Sequence, residues 1–315
     1  MELTIGIEVE ILLKPKPVIA DFLDGQGFNH NVWGSANREP FQRALIVALA
    51  AQGFRIGCTS PEYTAWAVTD EPALEETWGF YRCEIVSRVL YSTEPWQSEI
   101  DDLFIGLSQY CEFHLTQGCS THVHIARKDG FVGRDVHGLL KSIIYYDRPV
   151  TAMMPPLRKE TTRAKSNIEH LSQWSRFCPQ GPCDQWAAVF NPIDDIPMKQ
   201  VLLQNRCGER YLSWNLGHLL ATCDERIEFR RPPAVQTSRD AKHWISIALG
   251  YVAHAIGRRD WDEVKQTSAH PTEDMRAPII PTPTERANIE EAKMKLKGKK
   301  SLFAEKVASR PSTPV

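Results

Sequence analysis

Four short stretches of this chain place acids, imidazoles or a guanidinium on one side of an otherwise apolar strand. In Ile5-Gly6-Ile7-Glu8-Val9-Glu10-Ile11-Leu12 the two-residue period puts Ile5, Ile7, Val9 and Ile11 on one face and Gly6, Glu8, Glu10 and Leu12 on the other. The two carboxylates then stand roughly 6.5–7 Å apart along the strand. Alone, that pair fits a half-exposed edge strand whose polar face meets water. Thr121-His122-Val123-His124-Ile125 repeats the pattern with both imidazoles on one side. A lone strand histidine is usually structural, whereas two at this spacing suit metal or phosphate binding. Glu228 and Arg230 repeat it again, with Ile227 and Phe229 behind them. A surface ion pair, worth little, is the plain reading of that pair. Glu84, between Cys83 and Ile85, is a further candidate.

If these strands share one sheet, Glu8, Glu10, Glu84, Glu228 and His122 line an acidic pocket. Like charges in a cleft raise each other's pKa, so such a set needs cations. Carboxylate oxygens with few soft ligands favour Mg²⁺ or Mn²⁺ over zinc, and magnesium takes phosphate oxygens as further ligands. Arg230, Arg206, Arg210 and His124 then complement a polyphosphate. The chain contains no G-x-x-x-x-G-K-[ST] loop, so an ATP site here is not of the P-loop kind.

The elements that must position these residues alternate irregularly, without an internal repeat. A helix is expected from about Arg38 to Gln52 with Phe41, Leu45, Ala48 and Leu49 on one stripe and Gly53 as its stop. Strands are expected at Phe54–Cys58, Glu62–Val68 and Cys83–Leu90. A helix over Ser98–Leu115 follows the spacing of Ile100, Leu103, Phe104, Leu107 and Cys111. Asp135 is expected to cap a helix through Leu139, Leu140, Ile143 and Ile144. Residues 153–210 are rich in Pro, Trp and Asn and predict long loops. Arg158, Arg163 and Lys165 there read as solvated loop charges, with an acidic substrate as the alternative partner. A strand returns at Arg226–Arg231, and Thr237 or Ser238 caps a helix through Ala241, Trp244, Ile245, Ala248, Leu249 and Val252.

Composition narrows the function classes. With 37 Lys+Arg against 39 Asp+Glu, the chain lacks the basic excess of nucleic-acid binders. No signal-like or bilayer-length apolar run occurs, which predicts a cytoplasmic protein without a membrane partner. The eight cysteines are scattered and read as reduced; Cys178 and Cys183 bracket a loop, without a second pair to complete a zinc site. Residues 1–260 read as one catalytic domain. Residues 261–315 read as a Pro-rich linker and charged tail, whose lysines between Lys293 and Lys300 are a solvated run or a docking element for a protein partner.

Several motifs, in order, resemble the amidoligases, carboxylate–amine ligases related to glutamine synthetase and glutamate–cysteine ligase. Gly6-Ile7-Glu8-Val9-Glu10 resembles that family's G-x-E-x-E strand. Trp66–Asp70 and Cys83–Ser87 resemble its next pair of motifs, and Gly118–His124 resembles its H-V-H strand. Arg210–Leu216 and Arg226–Arg230 resemble its R-Y-x-x-x-N-L and T-x-E-F-R block. The likeness spans roughly residues 3–257. Arg88, Ala73 and Pro232-Pro233-Ala234 depart from the family pattern around the substrate pocket. The resemblance implies an α+β fold: a curved, mostly antiparallel sheet with helices on its outer face, like the catalytic fold of glutamine synthetase. It implies metal ligands at Glu8, Glu10, Glu84, His122 and Glu228. It implies phosphate contacts of ATP at His124, Arg210 and Arg230, with Asn215 near nucleotide or substrate.

The implied activity is ATP- and Mg²⁺-dependent amide formation between a small-molecule carboxylate and an amine, through an acyl phosphate. Arg230 would stabilise the moving phosphoryl group, and Glu84 or Asp70 would take the amine proton. Cys119 reads as structural rather than nucleophilic. A zinc hydrolase built on His122 and His124, and a non-catalytic nucleotide-binding module, are the competing readings.

Overall fold

The computed structural model describes residues 2–59, 61–170, 186–195, 197, 200, 202, 211–220, 225–258 and 260–266. In chain order the elements are β1 (Leu3–Pro15), α1 (Ala20–Gly25), α2 (Arg38–Ala51), β2 (Ile56–Gly57), β3 (Trp66–Thr69), β4 (Tyr81–Val86), β5 (Leu90–Tyr91), α3 (Trp96–Tyr110), β6 (Cys111–His114) and β7 (Ser120–Arg127). They continue with α4 (Gly133–Met153), α5 (Pro156–Lys159), α6 (Asn167–His170), α7 (Ala187–Asp194), β8 (Trp214–Asn215), β9 (Arg226–Phe229), α8 (Ser238–Gly257) and α9 (Trp261–Lys265). The protein is mixed α/β, with one open sheet in the order β2-β3-β4-β1-β7-β9-β8, and β5 and β6 also pairing with β1. Among the described strands every pairing is antiparallel except β2 with β3. Among the described residues no helix is long and apolar enough to cross a membrane.

The aliphatic half of β1 fixes this arrangement. Ile5, Ile7, Val9 and Ile11 are at most 1 % exposed. Their cross-strand neighbours Val123, Ile125, Cys83 and Ile85 are buried with them. Helices α2 and α8 cover this face. Phe41 of α2 meets Tyr81 of β4 with ring centroids 5.2 Å apart. Trp214 is stacked between Phe229 of β9 and Tyr251 of α8, at 4.3 and 4.5 Å. Helix α2 ends as its sequence dictates. Gly53 takes φ +87°, and the Phe54 and Gly53 amides donate to the Leu49 and Ala50 carbonyls, closing a Schellman motif. Thr237 caps α8 by accepting the Asp240 amide at 3.2 Å.

Several expected boundaries move. The helical spacing that suggested Ser98–Leu115 stops at Tyr110, because Cys111–His114 pair with Leu12–Pro15 and complete the far end of β1. Asp135 is not the cap of α4. It sits one turn inside, accepting the Val132 amide at 3.1 Å and pairing with Arg127 at 2.5 Å. The strand expected at Glu62–Val68 starts at Trp66, since Glu62 and Tyr63 adopt left-handed φ of +58° and +51°. The strand expected at Cys83–Leu90 divides, with Ser87 turning its hydroxyl back onto the Ile7 amide. The strands expected at Phe54–Cys58 and Arg226–Arg231 are shorter, Ile56–Gly57 and Arg226–Phe229. Cys178, Cys183 and the C-terminal lysine run lie outside the described residues.

Helix α4 packs closely on α8 at Gly138, where an added Cβ would stand 2.5 Å from the Ala255 carbonyl oxygen. A backbone atom cannot swing aside, so Gly138→Ala must push the two helices apart. We expect it to lower stability by about 1–3 kcal/mol, read as a lower urea midpoint with an unchanged denaturant slope.

Candidate metal and anion site

Antiparallel pairing sends directly opposed residues to the same face, so the register alone assembles the polar side of the sheet. Glu10 of β1 stands opposite Glu84 of β4 and Ser120 of β7. Glu8 stands opposite His122. Gly6 stands opposite His124, which opposes Glu228 of β9, which in turn opposes Asn215 of β8. Gly6 makes the last row possible: a Cβ there would already be 3.2 Å from the Cβ of His124. The side chains expected from alternation therefore do converge.

The contacts are dense. His122 Nδ1 lies 3.2 Å from Glu8, 3.5 Å from Glu228 and 3.7 Å from Glu10. Its Nε2 is 3.0 Å from the Ser120 hydroxyl, which also donates to Glu10. His124 Nε2 lies 3.0 Å from Glu8 and 3.9 Å from Glu228. Arg230 donates to Glu228 Oε1, and the Asn215 amide donates to Glu228 Oε2 at 2.9 Å. Thr69 donates to Glu84 at 3.1 Å.

The electrostatics divide the carboxylates. Burial works against charge on Glu8, but His124 and the hydrogen bond from His122 outweigh it and hold the carboxyl well below its ordinary value. Glu228 is likewise lowered against burial, by His124, Arg230 and His122. Burial opposes a proton on His124, yet Glu8 and Glu228 raise it. Among the described residues no cation pairs with Glu84. Burial and the Glu8 charge push its carboxyl up to about 7, despite the Thr69 bond.

Two groups present ligand atoms within 4.8 Å of one another: Glu8, His124 and Glu228, and Glu10, Glu71 and Glu84. The second is an all-oxygen set suited to Mg²⁺, and the first adds an imidazole that Mn²⁺ also accepts. His124 Nδ1 is buried without a hydrogen-bond partner among the described residues. The residues present therefore fit divalent ions. His122, expected as a ligand, is surrounded by the carboxylates, while His124 shares the compact group.

A cavity of about 380 Å³ opens beside Glu8 and His124, walled by Tyr63, Val86, Val89 and Arg226. The Arg226 guanidinium lies 5.9 Å from the Tyr63 ring centre. A second hollow of about 450 Å³ lies beyond Glu10, between Ala73, Thr116, Gly118 and Arg163. Cys119 is buried near it, packed with Leu12 and Leu74 and 3.3 Å from the Thr116 hydroxyl, a structural role. Asp70, considered as a base, is held by two bonds from Arg82 at 2.6 and 2.8 Å and lies 3.5 Å from Arg38.

Arg210 and Arg206 lie outside the described residues. Sequence reasoning missed Glu71, His218 and the buried place of Arg158. Glu71 follows Asp70 in a turn, so no strand period points to it. His218 comes 4.0 Å from Glu228 out of a single 3-10 turn, Gly217–Leu220. No model of a known protein family matches the chain, and no curated protein matches it.

Without ions, the folded protein keeps a proton on Glu84 that the unfolded chain releases near pH 4.5. Its contribution to stability therefore falls as pH rises from about 4.5 to about 7, then levels. Glu84→Gln abolishes that fall. In EDTA its melting temperature should exceed that of the wild type by more at pH 8 than at pH 5; equal differences at both pH values contradict the assignment.

Proposed function

We propose that the chain is an ATP-dependent carboxylate–amine ligase of the amidoligase type. The observation that carries this reading is the convergence of Glu8, Glu10, Glu84, His122 and Glu228, from β1, β4, β7 and β9, onto one face beside a cavity. The open, mostly antiparallel sheet with its helix-covered aliphatic face is what a glutamine-synthetase-like catalytic fold requires. The largely apolar cavity against Glu8 and His124 suits a nucleoside whose phosphates reach the carboxylates.

Glu8, His124 and Glu228, and Glu10, Glu71 and Glu84, are the groups that would hold divalent ions. Such ions supply charge neutralisation along the triphosphate. A carboxylate oxygen of the acid attacks the γ-phosphorus, and the bond to the β–γ bridging oxygen breaks with its electron pair leaving on ADP. Arg230, fixed by Glu228, stabilises charge on the phosphoryl oxygens during transfer. The amine lone pair then attacks the acyl carbon of the acyl phosphate, and the C–O bond to phosphate breaks. Glu84, oriented by the Thr69 hydroxyl, is the carboxylate assigned to accept the proton that the nitrogen sheds. Asn215 keeps Glu228 oriented through its own amide bond. Acid and amine are small molecules in this reading; nucleic acid and membrane have no place in it, and the lysine-rich tail is a candidate contact for a protein partner.

One observation favours a second reading. Glu8, His124 and Glu228 with His218 nearby resemble the mixed ligand set of a metal-dependent hydrolase. That enzyme would turn over without nucleotide.

The test is nucleotide consumption that depends on both an acid and an amine. ADP formed in equal amount with amide supports the acyl-phosphate route, and AMP contradicts it. Glu8→Gln and Glu228→Gln should each lower turnover by at least about a hundredfold while circular dichroism stays native, as for loss of a major electrostatic group in a buried site. Full activity in both removes the metal assignment.

A further inference from the structure

Nothing in its local pattern separates Arg158 from its solvated neighbours, and the structure does. Its side chain belongs to the short helix α5 and is 5 % exposed. Its Nη2 donates to the Arg230 carbonyl at 2.7 Å, and its Nε donates to the Arg231 carbonyl at 3.2 Å. Among the described residues it makes no ion pair. A buried guanidinium that meets only neutral carbonyls is costly, because carbonyl dipoles do not repay the lost hydration of a full charge. Burial pulls its pKa down to about 10; Glu10 opposes this, and Arg230, Arg231 and Arg163 add to it. Arg230 lies close by, with one nitrogen on Glu228 and its Nε buried without a hydrogen-bond partner among the described residues. Positive charge thus gathers at the Glu10 end of the carboxylate row, with guanidinium donors left over.

We propose that Arg158 and Arg230 form an oxyanion subsite that takes the carboxylate of the acyl donor. With Nε and Nη2 of Arg158 on carbonyls and Nη1 of Arg230 on Glu228, the terminal donors left for a carboxylate are Nη1 of Arg158 and Nη2 of Arg230, one from each planar guanidinium. The placement also separates the two substrates. The cavity beside Glu8 and His124 is at one end of the row. The second hollow, at the other end, is lined by Arg163 together with Glu75, Glu160 and threonines, and suits the polar body of an acid that also carries an amine. The assignment of this anion as acyl donor rests on the ligase reading above.

The test titrates the full chain with succinate, L-glutamate and inorganic phosphate in Mg²⁺ without nucleotide, and separately with MgATP. The expected result is that the wild type binds at least one of the two carboxylates. Arg158→Lys, which keeps charge and stem but not the fork, should bind it at least about tenfold more weakly, the loss of one charged hydrogen bond. MgATP affinity should stay unchanged. Arg158→Gln should lose carboxylate binding altogether; if it does not fold, Arg158→Lys decides. Wild-type affinity in Arg158→Lys overturns the proposal. Binding of phosphate but neither carboxylate also overturns it, assigning the guanidinium pair to the phosphoryl group. Failure of the wild type to bind MgATP sinks the ligase reading instead, and the carboxylate titration still decides the subsite.

Discussion

The register of β1 against β4 and β7 is the constraint from which the rest follows. Each pairing places a carboxylate opposite another polar side chain: Glu10 opposite Glu84 and Ser120, and Glu8 opposite His122. A slip of one residue would send all of them into the hydrocarbon core and Ile5, Ile7, Val9 and Ile11 into the polar cleft. Those four aliphatic side chains are nearly inaccessible. At about 1.5–3 kcal/mol each for full burial, they offer an energy comparable to the whole net stability of a domain. That is enough to hold like charges together that would otherwise separate. The apolar face therefore sets the geometry, and the charged face is carried along by it.

Within the cleft, charge is balanced unevenly. Glu8 and Glu228 have imidazoles or a guanidinium beside them and stay ionised. Glu84 has the Thr69 hydroxyl and the neighbouring Glu8, Glu71 and Glu10 charges, and its pKa rises. One half of the site is thus satisfied by the protein itself, and the other half by a proton or a cation from solution. The turn that delivers Glu71 is held from outside the cleft. Arg82 clamps Asp70, and Arg38 clamps Glu76 with two bonds at 2.8 and 3.0 Å. These flanking pairs keep a third carboxylate near Glu10 and Glu84 without donating into the cluster.

Much of this was legible in the amino-acid sequence, because period-2 alternation is a local signal. Isoleucines at positions 5, 7 and 11 fix which way Glu8 and Glu10 point, and Val123 does the same for His122 and His124. The helix stop at Gly53 and the cap at Thr237 are equally local. Features decided by tertiary pairing were not legible. Cys111 continues a helical spacing, and only the open end of β1 turns Cys111–His114 into a strand. Glu71, His218 and Arg158 come from turns and short helices, where no period says which way a side chain faces. Their roles depend on what folds against them.

The contrast between two buried arginines shows why that last class matters. Arg230 gives one nitrogen to Glu228, while its Nε has no hydrogen-bond partner among the described residues. Arg158 lies near enough to Glu10 for the acid to oppose its pKa fall, yet its own bonds go to the Arg230 and Arg231 carbonyls. Had Arg158 closed onto Glu10 in a two-bond pair, both groups would be spent and the polar face would be sealed at that end. The carbonyl bonds prevent this. They orient the guanidinium without neutralising it, and they come from the residues that follow β9, so the same strand end that supplies Glu228 and Arg230 also fixes Arg158. Anchoring a cation by dipoles leaves its charge for something else, and among the described residues no carboxylate is paired with it.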